Sequence, residues 1–96
     1  MLVLEKVEPA KDGKHKYTAY FREDDKIKKV NFGVKGSYSF VDGASIDIRN
    51  AYRARHAKDY LNKDPKSRGA LSAWITWGNS PEINVNIREF KKKFNV

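Results

Sequence analysis

Apolar and polar positions alternate through the first third of the chain, and the period then changes. Leu2 to Val7 reads as a short strand, and Pro9 with Asp12 and Gly13 predicts a turn across Glu8 to Lys14. From Lys16 to Arg22, Tyr17, Ala19 and Phe21 fall on one side and Thr18, Tyr20 and Arg22 on the other. That is the period of two expected of a half-buried strand. Ile27 to Val34 repeats it, with Val30, Phe32 and Val34 on one face and Lys29 and Asn31 on the other. The polar run Glu23 to Lys26 between them predicts a hairpin. Pairing with Leu2 to Val7 makes a three-stranded antiparallel sheet, close to the smallest that is stable alone.

The period then lengthens. Gly33, Gly36 and Gly43 bracket a loop carrying Tyr38 and Phe40, read as a lid on the sheet or as a stacking platform for bases. Ser45 to Lys63 predicts a long helix. Ser45 caps it, Asp47 sits in its first turn, and Asp64 with Pro65 stops it. Ile48, Tyr52, His56 and Tyr60 recur every fourth residue, a stripe suited to roofing the sheet. Ala70 to Trp77 predicts a short helix with Leu71, Trp74 and Ile75 on one face. A cap at Ser80, Pro81 in the first position and Glu82 in the first turn open a last helix. Ile83, Ile87, Phe90 and Phe94 carry its apolar face. Strands first and helices second predict an α+β fold. It is a single domain over residues 1–96, with the N-terminal sheet covered by two or three helices.

Charge narrows the function. Twenty Lys and Arg face twelve Asp and Glu, giving +8 at neutral pH and a pI near 9.8. No cysteine is present, which excludes disulfides, thiol nucleophiles and Cys-based zinc sites. No apolar run is long enough to span a membrane, and the N-terminal residues lack a signal-peptide layout. The composition thus predicts a soluble, intracellular, globular and basic protein with no membrane insertion. The two histidines, His15 and His56, stand outside any metal-ligand spacing, so no metal and no cofactor is expected. No Walker loop, nucleophile elbow or acid–base constellation is present, so no catalytic residue is assigned and a non-enzymatic protein is expected.

The surplus charge instead points to binding. Arg49, Arg53 and Arg55 lie on the central helix, Lys28 and Lys29 on the third strand, and Lys91, Lys92 and Lys93 at the end of the last helix. They are the candidate contacts to a polyanion or an acidic partner. Arg49 and Arg53 share a row and are placed for outward contact, whereas Arg55, nearly opposite Arg53, is not. The competing reading pairs these arginines with Asp42, Asp47 and Asp59 inside the fold. Tyr38, Phe40, Trp74 and Trp77 are the candidate interface rings.

Five short segments in order carry a resemblance: Lys16–Ala19, Val30–Gly33, the Gly36–Phe40 loop, Tyr52–His56 and Leu71–Gly78, followed by the closing helix from Ile87 to Phe94. Together they resemble a family of small basic proteins of unknown function encoded by nucleocytoplasmic large DNA viruses of algae and amoebae. The resemblance implies a viral origin and a place in the virion, with other virion or capsid proteins as partners. It brings no catalytic residues. Two functions remain open. The first is a minor capsid or cement protein bridging acidic surfaces. The second is a DNA-associated protein gripping duplex nucleic acid without sequence preference. The wrapping of the arginines round the helix tilts the sequence reading toward the first.

Overall fold

A computed structural model describes all 96 residues, Met1 to Val96. Strands β1 (Leu2–Pro9), β2 (His15–Glu23) and β3 (Lys26–Val34) form an antiparallel meander in the order β1-β2-β3. The register places Ala19 opposite Val30 and Tyr17 opposite Phe32, and Leu4 opposite Phe21. The alternating apolar residues therefore share one face, as their spacing requires. A bulge at Glu5 interrupts β1. Glu23 pairs with Lys26, so the hairpin closes on Asp24 and Asp25, and Asp24 takes a φ of 56°. Aspartate tolerates that left-handed conformation better than most residues.

A 3₁₀ turn over Phe40–Asp42 leads to α1 (Ile46–Arg55), α2 (Ala57–Leu61), α3 (Arg68–Leu71) and α4 (Ile83–Phe94). The backbone of α3 continues into a π-helical turn, Ser72–Thr76, where the Trp77 amide donates to the Ser72 carbonyl (2.9 Å). The fold is α+β, with the sheet in the N-terminal half followed by four helices.

The roof of the sheet is not the central helix. Leu4, Ala19, Phe21, Val30 and Phe32 are buried against Leu71, Ile75 and Phe90, from α3, the π turn and α4. Each large side chain so buried contributes about 1.5–3 kcal/mol. Helix α1 buries no residue, and Ile46 and Ile48 are 57% and 50% exposed. The aromatic stripe packs on tryptophans instead: Tyr52 of α1 stacks on Trp77 (4.3 Å between centroids, 7° between planes), and Tyr60 of α2 meets Trp74 edge-on at 5.1 Å. The sheet face is filled by Leu71, Ile75 and Phe90, while the branched side chains of α1 stay largely exposed.

The single helix predicted over 45–63 is also divided. His56 has φ −113° and ψ 31°, and it ends α1 while opening α2. The break keeps His56 on the Tyr52 ring (4.1 Å) and swings Tyr60 round to Trp74. The last helix starts at Ile83, with Glu82 as N-cap and no side-chain cap bond. Ser80, the cap expected from sequence, is engaged by a buried side chain, Asn86. Asn86 is 0% exposed. Its Nδ2 donates to the carbonyls of Ile75 (2.8 Å) and Ser80 (2.7 Å), and its Oδ1 accepts from the Ser80 amide (2.9 Å). This one side chain clamps the Gly78–Ser80 loop between the π turn and α4.

A cationic cleft as candidate functional site

Arg49 and Arg53 fold inward. The Arg49 guanidinium lies 4.7 Å from the Phe40 ring and donates to the Asn79 carbonyl (3.3 Å). Arg53 donates to Asn79 Oδ1 (2.9 Å), and its guanidinium sits 5.5 Å from the Tyr60 ring. Both are half-buried, and the Nε of each is buried without a partner. Their placement corrects the outward orientation expected from the helical row. They hold α1 on the 77–79 loop. Neither pairs with Asp42, Asp47 or Asp59: Asp42 takes Lys16, and Asp59 takes His56.

Arg55, the arginine that fell outside the row, is exposed and reaches an open cleft of about 460 Å³. One wall is the open end of the hairpin, His15, Lys16 and Phe32 to Val34. The other comes from the helices: Tyr52, Arg55 and His56, then Asp59, Arg68 and Gly69, then Ser72, Thr76 and Trp77. Gly33 has φ +78°, and a Cβ there would press on Lys16 Cβ at 3.2 Å, so glycine keeps this wall low.

Both histidines are fixed from behind. His15 Nδ1 lies 2.5 Å from Asp12 Oδ2, and His56 Nδ1 lies 3.2 Å from Asp59 Oδ2. The His15 ring and the amides of Lys14 and His15 hold the Asp12 carboxyl well below its usual range. Lys16 Nζ donates to the Ser37 carbonyl (2.7 Å) and pairs with Asp42, which also accepts from the amide and hydroxyl of Ser39. Burial pushes the Asp42 carboxyl up. Lys16 and the two Ser39 donors outweigh it, so the carboxyl stays ionised at lower pH than usual. Arg55 and Arg68 have no carboxylate within 4 Å. The cleft thus offers two free guanidinium groups beside one tied ammonium.

The third feature is a stack of rings, His56 on Tyr52 on Trp77. Tyr52 has both faces covered, and burial pushes its hydroxyl up to about 12, so it is neutral at ordinary pH. His56 ends the stack with its side chain 43% exposed.

The remaining candidates are dispersed. Lys28 and Lys29 are exposed near the turn end of β3, away from the cleft, and the Lys29 ammonium lies 5.4 Å from the Tyr20 ring. Lys91, Lys92 and Lys93 are exposed on the last turn of α4, with Lys93 Nζ 4.5 Å from the Trp74 ring. Of the candidate interface rings, Tyr38 is 63% exposed, whereas Phe40 is buried under Arg49. Trp74 and Trp77 are half-buried within the aromatic stack. Reasoning from sequence missed His15, Lys16, Arg68 and Asp59 as parts of one site. Only the topology joins the start of β2 to the start of α3. No group of three or more His, Asp and Glu side chains stands close enough to hold a metal ion. No helix is long and apolar enough to cross a membrane.

Residues 5–56 match a protein family of unknown function, DUF5754. The chain belongs to that family. The DUF5754 segment supplies the hairpin wall of the cleft and all of α1 through His56. The wall from Asp59 to Trp77 follows it. An uncharacterized protein of Acanthamoeba polyphaga mimivirus is 38% identical over 73 residues, covering 70% of this chain and 73% of the relative. No solved structure matches the chain.

Proposed function

We propose that the protein is a non-enzymatic nucleic-acid-binding component of a large DNA virus, acting through charge rather than through a reaction. The mimivirus relative supports the viral setting. The observation that carries the binding reading is the state of the cations. Of twenty Lys and Arg, only Lys6, Lys16 and Arg22 lie within 4 Å of a carboxylate. The rest are left to solvent, to rings or to neutral acceptors. Such a surface gains free energy by displacing counterions from a phosphate chain, with little regard to base sequence. On the outer face of the sheet pairing is denser: Lys6 pairs with Glu8, Arg22 with Glu5, and Tyr20 donates to Glu8 (2.6 Å), while Lys29 lies over the Tyr20 ring (5.4 Å) with no carboxylate partner.

The test is a mobility-shift titration of a labelled oligonucleotide with purified protein. Retarded complexes at low salt that dissolve as salt rises support the reading, and unshifted oligonucleotide at the highest protein concentration ends it.

A second reading, a minor capsid or cement protein bridging acidic shell surfaces, rests on a different observation. Ile46, Ile48 and Tyr38 expose apolar area beside an α1 that buries nothing. Exposed apolar side chains on a chain of net charge +8 suit contact with an acidic protein. Mass spectrometry of fractionated particles decides it: enrichment with the shell supports this reading, and absence from the particle removes it.

A further inference from the structure

We propose that the cleft between the hairpin and the helices receives a single unpaired nucleotide, so that the protein prefers single-stranded over duplex nucleic acid. This rests on the nucleic-acid reading above and adds the form of the ligand.

Three features converge on it. The first is size and shape. A volume of about 460 Å³ falls in the range of small-ligand sites, roughly 300–1,000 Å³. It has room for one nucleotide, and its two walls keep out the stacked, paired strands of a duplex. The second is charge. Arg55 and Arg68 come from different helices, both are exposed, and both lack a carboxylate partner. A guanidinium fork matches phosphate oxygens, and two forks over one cleft suit a phosphate entering between them. Asp59 is the acid lining the cleft, and its Oδ2 is held by His56. The third is the ring stack. Trp77, Tyr52 and His56 are already parallel or nearly so, with planes 7° and 20° apart, and no further ring covers His56. A base laid on His56 extends the stack, and such stacking contributes about 1–3 kcal/mol per base without choosing among bases. Ser37, Ser72 and Thr76 add hydroxyls to the walls. The π turn has a role in this site. It ends on Trp77, the ring that stacks on Tyr52, and single π turns recur at functional sites.

The test compares a fluorescent single-stranded thymidine oligonucleotide with a duplex of equal length at one salt concentration, by anisotropy. Three proteins are used: wild type, Arg55→Ala/Arg68→Ala, and the charge-matched Lys91→Ala/Lys92→Ala. The proposal expects tighter single-strand binding by wild type, by tenfold or more. It expects the arginine pair to lose at least tenfold on the single strand, well beyond the lysine pair, with similar small losses for both on the duplex. Thymidine 5′-monophosphate should displace the oligonucleotide and quench Trp77 fluorescence in a Trp74→Phe background, and inorganic phosphate should do so far more weakly. Thermal melts confirm that the variants fold. Equal affinity for the two forms of DNA, or equal losses in both double variants, overturns the cleft and leaves the nucleic-acid reading standing. Displacement by phosphate as strong as by the nucleotide removes the base from the proposal. No binding to either DNA at low salt overturns the nucleic-acid reading itself.

Discussion

Replacing Asn86 by leucine keeps the branched outline, with methyls in place of the amide oxygen and nitrogen, and removes every polar contact at the centre of the helical half. The side chain is fully buried and makes three hydrogen bonds, to Ile75 O, Ser80 O and Ser80 N. Leucine leaves those three backbone groups without their partner. A buried polar group so orphaned costs about 1–3 kcal/mol. Ser80 is half-exposed, so water recovers part of the loss there, while Ile75 is buried. The working figure is therefore about 2–4 kcal/mol for Asn86→Leu, against a stability on the order of 5–14 kcal/mol for a chain this long. At ~4–8 °C per kcal/mol, melting should drop by roughly 10–30 °C. Urea unfolding followed by tryptophan fluorescence should show a lower midpoint with an unchanged slope, since the buried area is retained. Asn84→Leu, exposed on the same helix, is the control and should stay within about 0.5 kcal/mol. An Asn86→Leu protein as stable as wild type refutes the clamp.

Gly78→Ala should destabilise by about 1–3 kcal/mol or more in the same unfolding assay, because its Cβ would overlap the Trp74 carbonyl oxygen and lie 2.6 Å from Asn86 Cγ. Below pH 4 the protein should lose stability. The carboxyls of Glu8, Asp12 and Asp42 all sit lower in the fold than in the open chain, so their contribution is whole above their unfolded values and drains away as pH falls through the folded ones. Urea midpoints at successive pH values should show the decline, and Asp42→Asn should flatten part of it. At the alkaline end the sign reverses. Burial raises the Tyr52 hydroxyl to about 12, so its contribution is whole below the ordinary tyrosine value near 10 and is lost above it. Tyr52→Phe should reduce that alkaline loss, read from the same unfolding curves.

The sheet was legible because a period of two leaves few alternatives: Ala19, Phe21, Val30 and Phe32 share one face as their spacing demands. The closing helix was legible for the same reason at period 3.6, and Ile83–Phe94 matches it. The roof was not. Ile48, Tyr52, His56 and Tyr60 form a regular stripe, and periodicity says that a face is covered without saying by what. Trp77 and Trp74 pack on Tyr52 and Tyr60, Ile48 stays exposed, and the sheet goes to Leu71, Ile75 and Phe90. Asn86 carried an overlooked signal. It stands three residues after Ile83 and four before Phe90, on the apolar stripe itself, where an amide is placed for its hydrogen bonds. The cleft was invisible for a different reason. His15, Lys16, Arg55 and Arg68 are drawn together from separate segments, and no local spacing marks them. Helical counting separated Arg55 from Arg49 and Arg53 but assigned outward contact to the wrong side: Arg49 and Arg53 fold onto Phe40 and Asn79, and Arg55 is the exposed one.

The central claim is that the unpaired cations of this fold bind nucleic acid, and the salt dependence of affinity tests it most directly. Each phosphate neutralised lowers log K by about 0.7 to 0.9 per unit of log salt, and engagement of four to six cations gives a slope of roughly −3 to −5. A linear fall of that steepness, made shallower by about one to two in the Arg55→Ala/Arg68→Ala protein, is the expected result. A slope that the arginine substitutions leave unchanged removes only the cleft, and an affinity that does not respond to salt contradicts the account.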